Sequence, residues 1–338
     1  MTNIKKGDSA TNRNRPSGTT KSSSNSSTIT PIWEAISAFQ NEISKAGLGT
    51  PEIKPDAGII RFSLPNEKKG KSGWYVFFSD GVYAGKFGSW KTGESTEWHM
   101  KSNNQPLTPQ ERKAFAVACK KAEQKRTDET NKKHRKARII AQSIWANASP
   151  CSPDAPYLKL KKISSCAKYL RQDKHGNILV PIYADKQISS LQFISNKNLG
   201  AKWYLTGGKV ASAFYYFGDI KQPFETAYIA EGLASAYSCF LLLSHAPVFV
   251  SFTASNLSNI AKLVRAQFKD IDIVILADND VRDKPNELNT GIVEAEKAAL
   301  CCNGRVSIPS HPSGKKVDFN DLYVEAIEAQ ENERACND

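Results

Sequence analysis

The spacing of hydrophobic residues changes several times along the 338-residue chain. Residues 1–30 are mostly Ser, Thr, Asn and Lys, and such a segment cannot bury enough apolar surface to offset the entropy of ordering. We therefore expect a disordered tail at 1–30. From 32 to 46 apolar residues recur at helical spacing, which predicts a helix capped by Thr30 and ended by Gly47.

Short alternating runs follow this helix and predict strands separated by turn residues. The predicted strands are 58–64, 73–78 and 82–87. Asp80-Gly81 favours a tight hairpin between the last two of them. With the first helix they predict a small α+β module over 31–105.

A long helix is predicted from residue 109 to about Trp145, because Thr108 and Glu111 have the spacing of a capping box. Lys and Arg dominate its middle, which is polar on all sides, so we interpret 106–150 as a basic linker helix that spans solvent. Contact with nucleic acid is an open alternative for the same charges.

The second half of the chain alternates apolar runs with helical patterns. Two runs at 177–183 and 188–194 predict a hairpin within a basic α+β subdomain at 151–223. The continuous apolar runs beyond it predict a Rossmann-like parallel sheet over 224–325, because strands buried on both faces have no polar alternation. Residues 326–338 are expected to be a C-terminal tail.

Acidic residues follow two of these buried runs. Glu231 comes directly after the run 227–230, and Asp278 and Asp280 follow the run 271–277. The carboxyl ends of parallel strands form the ligand crevice of an α/β sheet, so the three side chains should converge there. Like charges that lie close together favour a shared divalent cation, which predicts a Mg²⁺ or Mn²⁺ site.

Charge is distributed unevenly along the chain. Residues 1–150 contain 25 Lys and Arg against 13 Asp and Glu, and residues 151–225 contain 11 against 5, whereas residues 226–338 contain 10 against 16. A basic arm that precedes an acidic metal site is typical of a protein that binds a polyanion, although solvated charge alone is the alternative. Seven scattered cysteines and the lack of an apolar run long enough for a membrane span predict a cytoplasmic protein without disulfides.

The order of strands, helices and acids from Phe224 to Val324 resembles the Toprim family, which includes bacterial primases, topoisomerases and some nucleases. Glu231, the Asp278-Asn279-Asp280 motif and Asp318-Phe319-Asn320-Asp321 carry the resemblance. It implies that Asp278 and Asp280 bind Mg²⁺ or Mn²⁺, that Glu231 is a further ligand or a general acid/base, and that Asp318 supports a second metal. Asn320 and Asp321 are weaker candidates, and Asp321 fits a helix cap equally well.

The segment from Tyr157 to Asp219 resembles the basic subdomain that precedes Toprim in primases. That resemblance implies phosphate or template contacts for Lys202 and Lys209, with Asn196 and Gln192 as weaker candidates.

In the small module, Gly88-Ser89-Trp90-Lys91-Thr92-Gly93 resembles an element of plasmid and phage primases, so Trp90 and Lys91 are candidate template-binding residues. Trp90 and Trp98 would also suit the core of a small sheet.

These resemblances together predict a DNA primase of a plasmid, phage or other mobile element, with single-stranded DNA as template and ribonucleoside triphosphates as substrates. Two departures from replicative primases are clear: Ser235 stands where those enzymes have an acid, and no cysteine set forms a zinc ribbon. No P-loop motif is present, so any replicative helicase would be a separate partner. A Toprim nuclease and a non-catalytic nucleic-acid-binding accessory protein are the alternatives.

Overall fold

The structure, a computed structural model, describes residues 30–65, 67, 70–79, 83–100, 109–279, 289–310 and 316–337. Residues 1–29 of the expected tail, the turn at Asp80-Gly81 and the capping residue Thr108 lie outside these ranges. The chain divides into two compact units, Met1–Ala118 and Cys119–Asp338. In the part of the chain that the structure describes, no helix has the length and apolarity that a membrane span requires.

The first unit places one helix against a four-stranded antiparallel sheet in the order β1-β2-β3-β4. Its elements are α1 (Ile32–Lys45), β1 (Ile60–Phe62), β2 (Gly73–Phe78), β3 (Ala84–Ser89) and β4 (Ser95–His99). Phe39 and Ile43 of α1 are buried against Tyr75 and Phe77 of β2. The predicted Thr30 cap is wrong, because Pro31 occupies the N-cap position and no side chain caps the helix.

Helix α2 (Pro109–Asn147) has the predicted length and runs through the division between the two units. Most of its described side chains before Ala137 are exposed, as the polar pattern predicted. In the second unit, Ala141 is buried with Leu179 and Leu191, so apolar packing fixes the last turns of the helix.

The first sheet of the second unit is antiparallel, in the order β5-β6-β7-β8-β9. Its elements are β5 (Ser149–Pro150), α3 (Pro156–Leu160), a 3₁₀ turn at Ser164–Tyr169, β6 (Arg171–Gln172), β7 (Ile178–Ala184), β8 (Gln187–Ile194) and β9 (Lys202–Tyr204). Strands β7 and β8 form the predicted hairpin. Asp185 and Lys186 both have positive φ, 51° and 61°, as a two-residue hairpin turn requires.

The second sheet is parallel except at one edge, in the order β10-β12-β11-β13-β14. Its strands are β10 (Tyr215–Phe217), β11 (Thr226–Ala230), β12 (Val248–Val250), β13 (Asp272–Leu276) and β14 (Arg305–Ser307). Its helices are α4 (Leu233–Leu242), α5 (Leu257–Gln267), α6 (Thr290–Cys302) and α7 (Phe319–Asn337). The predicted α/β class with a parallel sheet is confirmed.

Two segment boundaries in the structure differ from the predicted ones. Strand β10 lies within the predicted subdomain 151–223, yet it pairs antiparallel with β12 and so forms the edge of the parallel sheet. Helix α7 continues to Asn337, through most of the segment 326–338 that was expected to be a tail. Its ion pair from Glu331 to Lys162, 2.7 Å, joins this helical end to the segment after α3.

Alternate residues of β11 face two separate cores. Ala227 and Ile229 are buried with α5 and α6 on one face, whereas Ala230 is buried with α4 and the antiparallel sheet on the other. Both faces of the strand are covered, which explains its continuous apolar run. The strand end, where Glu231 follows, is therefore held from both sides.

Candidate functional site

A groove of about 440 Å³ in the second unit contains most of the predicted acidic residues. It is bounded by α3, by the end of the β8-β9 pair and by the carboxyl edge of the parallel sheet. The charged side chains that line it are Lys161, Lys202, Glu231, Asp278 and Asp318. Tyr157, Gln192, Tyr204, Ser235 and Phe252 also line it.

The register of the parallel sheet brings Glu231 and Asp278 to the same edge. Ala230 of β11 pairs with Leu276 of β13. Glu231 directly follows Ala230 and Asp278 comes two residues after Leu276, so the two acids lie at the ends of adjacent strands. Gly291 in the first turn of α6 lies so close that a Cβ there would be 2.3 Å from the carbonyl oxygen of Asp278. The backbone that carries Asp278 is therefore held tightly by α6.

Asp318 reaches the groove through a separate connection. Val317 forms a β-bridge with Asn279, which places the next residue, Asp318, near the end of β13. Asp318 Oδ1 accepts the backbone N–H of Asp321 at 2.8 Å, and Asp321 Oδ2 accepts the N–H of Asp318 at 3.0 Å. The two carboxylates thus cap α7 reciprocally, so the capping interpretation of Asp321 agrees with the structure.

Asn320 is a buried structural residue. Its Nδ2 donates to the carbonyl oxygen of Lys161 and to Ser238 Oγ, both at 2.9 Å. The side chain therefore joins α7 to α4 and to the end of α3. Asn320 is fully buried and is absent from the groove lining, so its weaker candidacy as a metal-site residue stays a prediction.

The acids of the groove provide the hard oxygen donors that Mg²⁺ prefers. Within the described residues, however, no three His, Cys, Asp or Glu side chains lie close enough to hold a metal ion together. Asp280, the fourth predicted acid, lies outside the described residues. Ser235, where related enzymes are expected to have an acid, lines the groove and is 3% exposed.

Lys202 provides a positive charge opposite these acids. Burial of its ammonium group lowers the pKa of Lys202 below its ordinary value, whereas the charges of Asp318, Asp278 and Glu231 oppose that change. Its Nζ lies 5.5 Å from the ring centroid of Tyr157. The residue as a whole is exposed, and it lines the groove opposite the acids.

Two predicted contacts lie elsewhere. The carbonyl oxygen of Lys209 accepts a hydrogen bond from Ser189 Oγ. The pKa of His134 in α2 is lowered first by burial of the imidazole and then by the positive charge of the Lys209 side chain. Asn196 Nδ2 lies beside Gly176, in the turn between β6 and β7. Neither residue lines the groove.

Three groove residues with polar side chains were not identified from the sequence. Tyr157 is 2% exposed, Tyr204 donates a hydrogen bond to the carbonyl oxygen of Phe252, and Lys161 forms a 3.4 Å ion pair with Asp321. An aromatic residue directly after Pro156 was the one available signal for Tyr157. Nothing local to the sequence distinguishes the other two from surface residues.

Trp90 and Trp98 have different surroundings in the first unit. Trp98 packs with Phe39, with ring centroids 5.1 Å apart, which agrees with the core interpretation. Trp90 is 56% exposed and lies 5.4 Å from the ring of Trp74. Lys91 is exposed and lies 3.6 Å from Glu67. Trp90 and Lys91 are thus accessible to a ligand.

No family model matches the chain. Two curated relatives, both DNA primase TraC of Escherichia coli, are each 28% identical to it over 295 and 293 residues. The alignments cover 85% and 82% of this chain but 27% and 20% of the relatives, so the chain spans about a quarter of their length.

Among solved structures, the primase fragment of the bacteriophage T7 primase-helicase protein gives a TM-score of 0.35 at 17% identity, covering 51% of this chain and 70% of that one. The DnaG primase catalytic domain bound to ssDNA gives 0.39 at 12% identity, covering 60% and 80%. The two sheets and the groove between them define an α/β protein in which Glu231, Asp278 and Asp318 line one groove together with Lys161 and Lys202. The predicted resemblance is confirmed at the level of sequence: this chain is similar to DNA primases of the plasmid type.

Proposed function

We propose that this protein is a DNA primase that synthesises short RNA primers on single-stranded DNA for the replication of a mobile element. The observation that carries the proposal is the groove in which Glu231, Asp278 and Asp318 face Lys202. Sequence similarity to DNA primase TraC over most of the chain supports it. We further propose that the parallel sheet is a Toprim catalytic domain, and that any replicative helicase acts as a separate partner.

Primer synthesis forms a bond between a 3′ oxygen and an α-phosphorus and breaks the bond to the leaving pyrophosphate. In this proposal Asp278 and Asp280 hold Mg²⁺ or Mn²⁺, with Glu231 and Asp318 as further ligands. The bound cation would lower the pKa of the attacking hydroxyl and neutralise charge on the phosphates. In the alternative version of this proposal, Glu231 accepts the proton of that hydroxyl.

The chain's own residues orient the substrates. The ammonium group of Lys202 enters the groove beside the acids, where it would pair with the triphosphate of a nucleotide. Lys161 is held by Asp321 on the same wall and adds a second positive charge. Lys209 and Asn196 lie outside the groove, so we propose that they contact the template at its approach rather than the reacting phosphates.

We propose that the first unit binds the template. Trp90 is exposed and the neighbouring Trp74 is half-buried, and together they offer aromatic surface on which bases can stack. Lys91 follows Trp90 in the chain. Arg61 pairs with Trp74 across β1 and β2, which adds an exposed cation to the same sheet face. Stacking on aromatic side chains beside cations tolerates any base sequence, which suits binding along a single-stranded template.

The test is an assay of the purified protein with single-stranded DNA, labelled ribonucleotides and Mg²⁺ or Mn²⁺. We expect short RNA products from the wild type and none from the variant Asp278→Ala/Asp280→Ala. The matched control is Asp270→Ala, which removes an exposed acid that is absent from the groove lining and should leave synthesis unchanged.

Two outcomes would contradict the proposal. Shortened DNA without synthesis would identify a nuclease, which the same acids and metals also suit. Salt-sensitive DNA binding without either activity would identify an accessory protein, the role that the missing acid at Ser235 favours.

A further inference from the structure

A buried hydroxyl group in the groove has no role in the fold. Tyr157 is 2% exposed, and within the described residues its hydroxyl oxygen has no hydrogen-bond partner. A buried hydroxyl without a partner costs free energy of folding, so a chain that keeps one gains something else from it. Pro156 begins α3 and Leu158 is fully buried, so Tyr157 is held firmly in place.

Two lysines lie near Tyr157, and of the groove acids the charge of Asp318 also reaches it. Lys202 Nζ lies over the Tyr157 ring, and Lys161 lines the same groove. Burial raises the pKa of Tyr157 to about 12, so the hydroxyl keeps its proton and can act as a donor at any physiological pH. A fixed neutral donor in a groove that also holds two lysines can pair with the negative oxygens of a phosphate.

We propose that the Tyr157 hydroxyl group donates a hydrogen bond to a phosphate oxygen of the substrate and so positions it between Lys161 and Lys202. Two sources of phosphate fit this chemistry: the triphosphate of the incoming nucleotide and the backbone of the template. The assignment rests on the proposed function for its biological meaning. The contact itself is independent of catalysis.

The test compares the full-length wild type with Tyr157→Phe, which removes only the hydroxyl group. Binding is measured by calorimetry with inorganic tripolyphosphate and with an oligothymidylate as separate probes, in the presence of Mg²⁺. The matched control is Tyr215→Phe, a similarly buried tyrosine of the same core that does not line the groove. Thermal unfolding is recorded for each variant.

We expect Tyr157→Phe to weaken tripolyphosphate binding by about tenfold or more, as for a lost hydrogen bond to a charged group. Its unfolding temperature should stay the same or rise, because no folded-state hydrogen bond is lost. Weakening confined to the oligothymidylate would assign the contact to the template backbone instead. Unchanged binding of both probes would overturn the proposal, as would an equal loss for Tyr215→Phe.

The outcome is separable from that of the primase assay. A wild type that binds tripolyphosphate through Tyr157 but makes no primers would contradict the proposed function and leave this contact standing. A wild type that makes primers while Tyr157→Phe keeps full affinity and an unchanged KM for nucleotide would contradict this contact alone.

Discussion

The hydroxyl group of Tyr204 donates a hydrogen bond to the carbonyl oxygen of Phe252 at 2.6 Å. The contact joins β9 of the antiparallel sheet to the turn after β12 of the parallel sheet. Phe252 has a φ of 68°, in the left-handed region that non-glycine residues rarely occupy, and its N–H donates to the carbonyl oxygen of Glu231 at 3.0 Å. Tyr204 thus fixes a strained residue that in turn holds the backbone of a groove acid.

Removal of this hydroxyl group should loosen the groove. We expect Tyr204→Phe to lower the free energy of unfolding by about 1–2 kcal/mol, because the hydrogen bond is lost and Phe252 is less restrained. Nucleotide KM should rise as the backbone of Glu231 becomes mobile. Denaturant unfolding and steady-state kinetics are the measurements, with Tyr216→Phe on β10 as control. Equal stability of variant and wild type would show that Phe252 keeps its conformation without Tyr204.

Asn320 provides a second prediction that separates a structural role from a ligand role. Because Asn320 Nδ2 donates to Lys161 and Ser238, Asn320→Ala should lower the free energy of unfolding by about 2–3 kcal/mol. The Mg²⁺ concentration that half-activates the remaining enzyme should not change. The exposed Asn198→Ala is the control. A large change in Mg²⁺ requirement without loss of stability would support Asn320 as a metal-site residue.

The close approach of α6 to Asp278 gives a third prediction. Gly291→Ala should destabilise the second unit by about 1–3 kcal/mol, because the new Cβ would contact the carbonyl oxygen of Asp278 and force a shift. Gly232→Ala is the matched control: Gly232 also lies beside a groove acid, Glu231, and a Cβ there meets only Ser235 Oγ, 4.0 Å away. Circular dichroism melts of both variants, with metal titrations, are the measurements. Similar melting of the two variants would contradict the tight packing at Asp278.

The sequence predicted those parts of the molecule that depend on local pattern. Continuous apolar runs identified β11 and β13, because a strand buried on both faces lacks alternating polar residues. The position of Glu231 and Asp278 at one edge then followed from parallel pairing alone. The β7-β8 hairpin was predicted because both its strands and its turn are contiguous in the chain.

Features set by distant contacts could not be predicted. Lys202 and Lys209 have similar local sequences, and only the path of the loops after β8 and β9 decides that the first enters the groove. Strand β10 pairs with β12, which lies about thirty residues later in the chain. No periodic pattern in the sequence extends over that distance, so the place of β10 in the parallel sheet could not be predicted. Tyr157 and Tyr204 resemble ordinary core residues until their hydroxyl groups are located.

The aromatic pair of the first unit gives the last prediction. Stacking of a base on an aromatic side chain contributes about 1–3 kcal/mol, so Trp74→Ala and Trp90→Ala should each weaken binding of single-stranded DNA by roughly five- to a hundredfold. Arg61→Ala and Lys91→Ala should reduce the salt dependence of binding instead. Trp33→Ala is the matched control, because Trp33 is 63% exposed but belongs to α1, whose buried residues pack against the sheet. Fluorescence anisotropy of a labelled oligothymidylate across a salt series measures all five variants. Equal losses for Trp33→Ala and Trp90→Ala would contradict a specific stacking site and leave only nonspecific attraction by the basic chain.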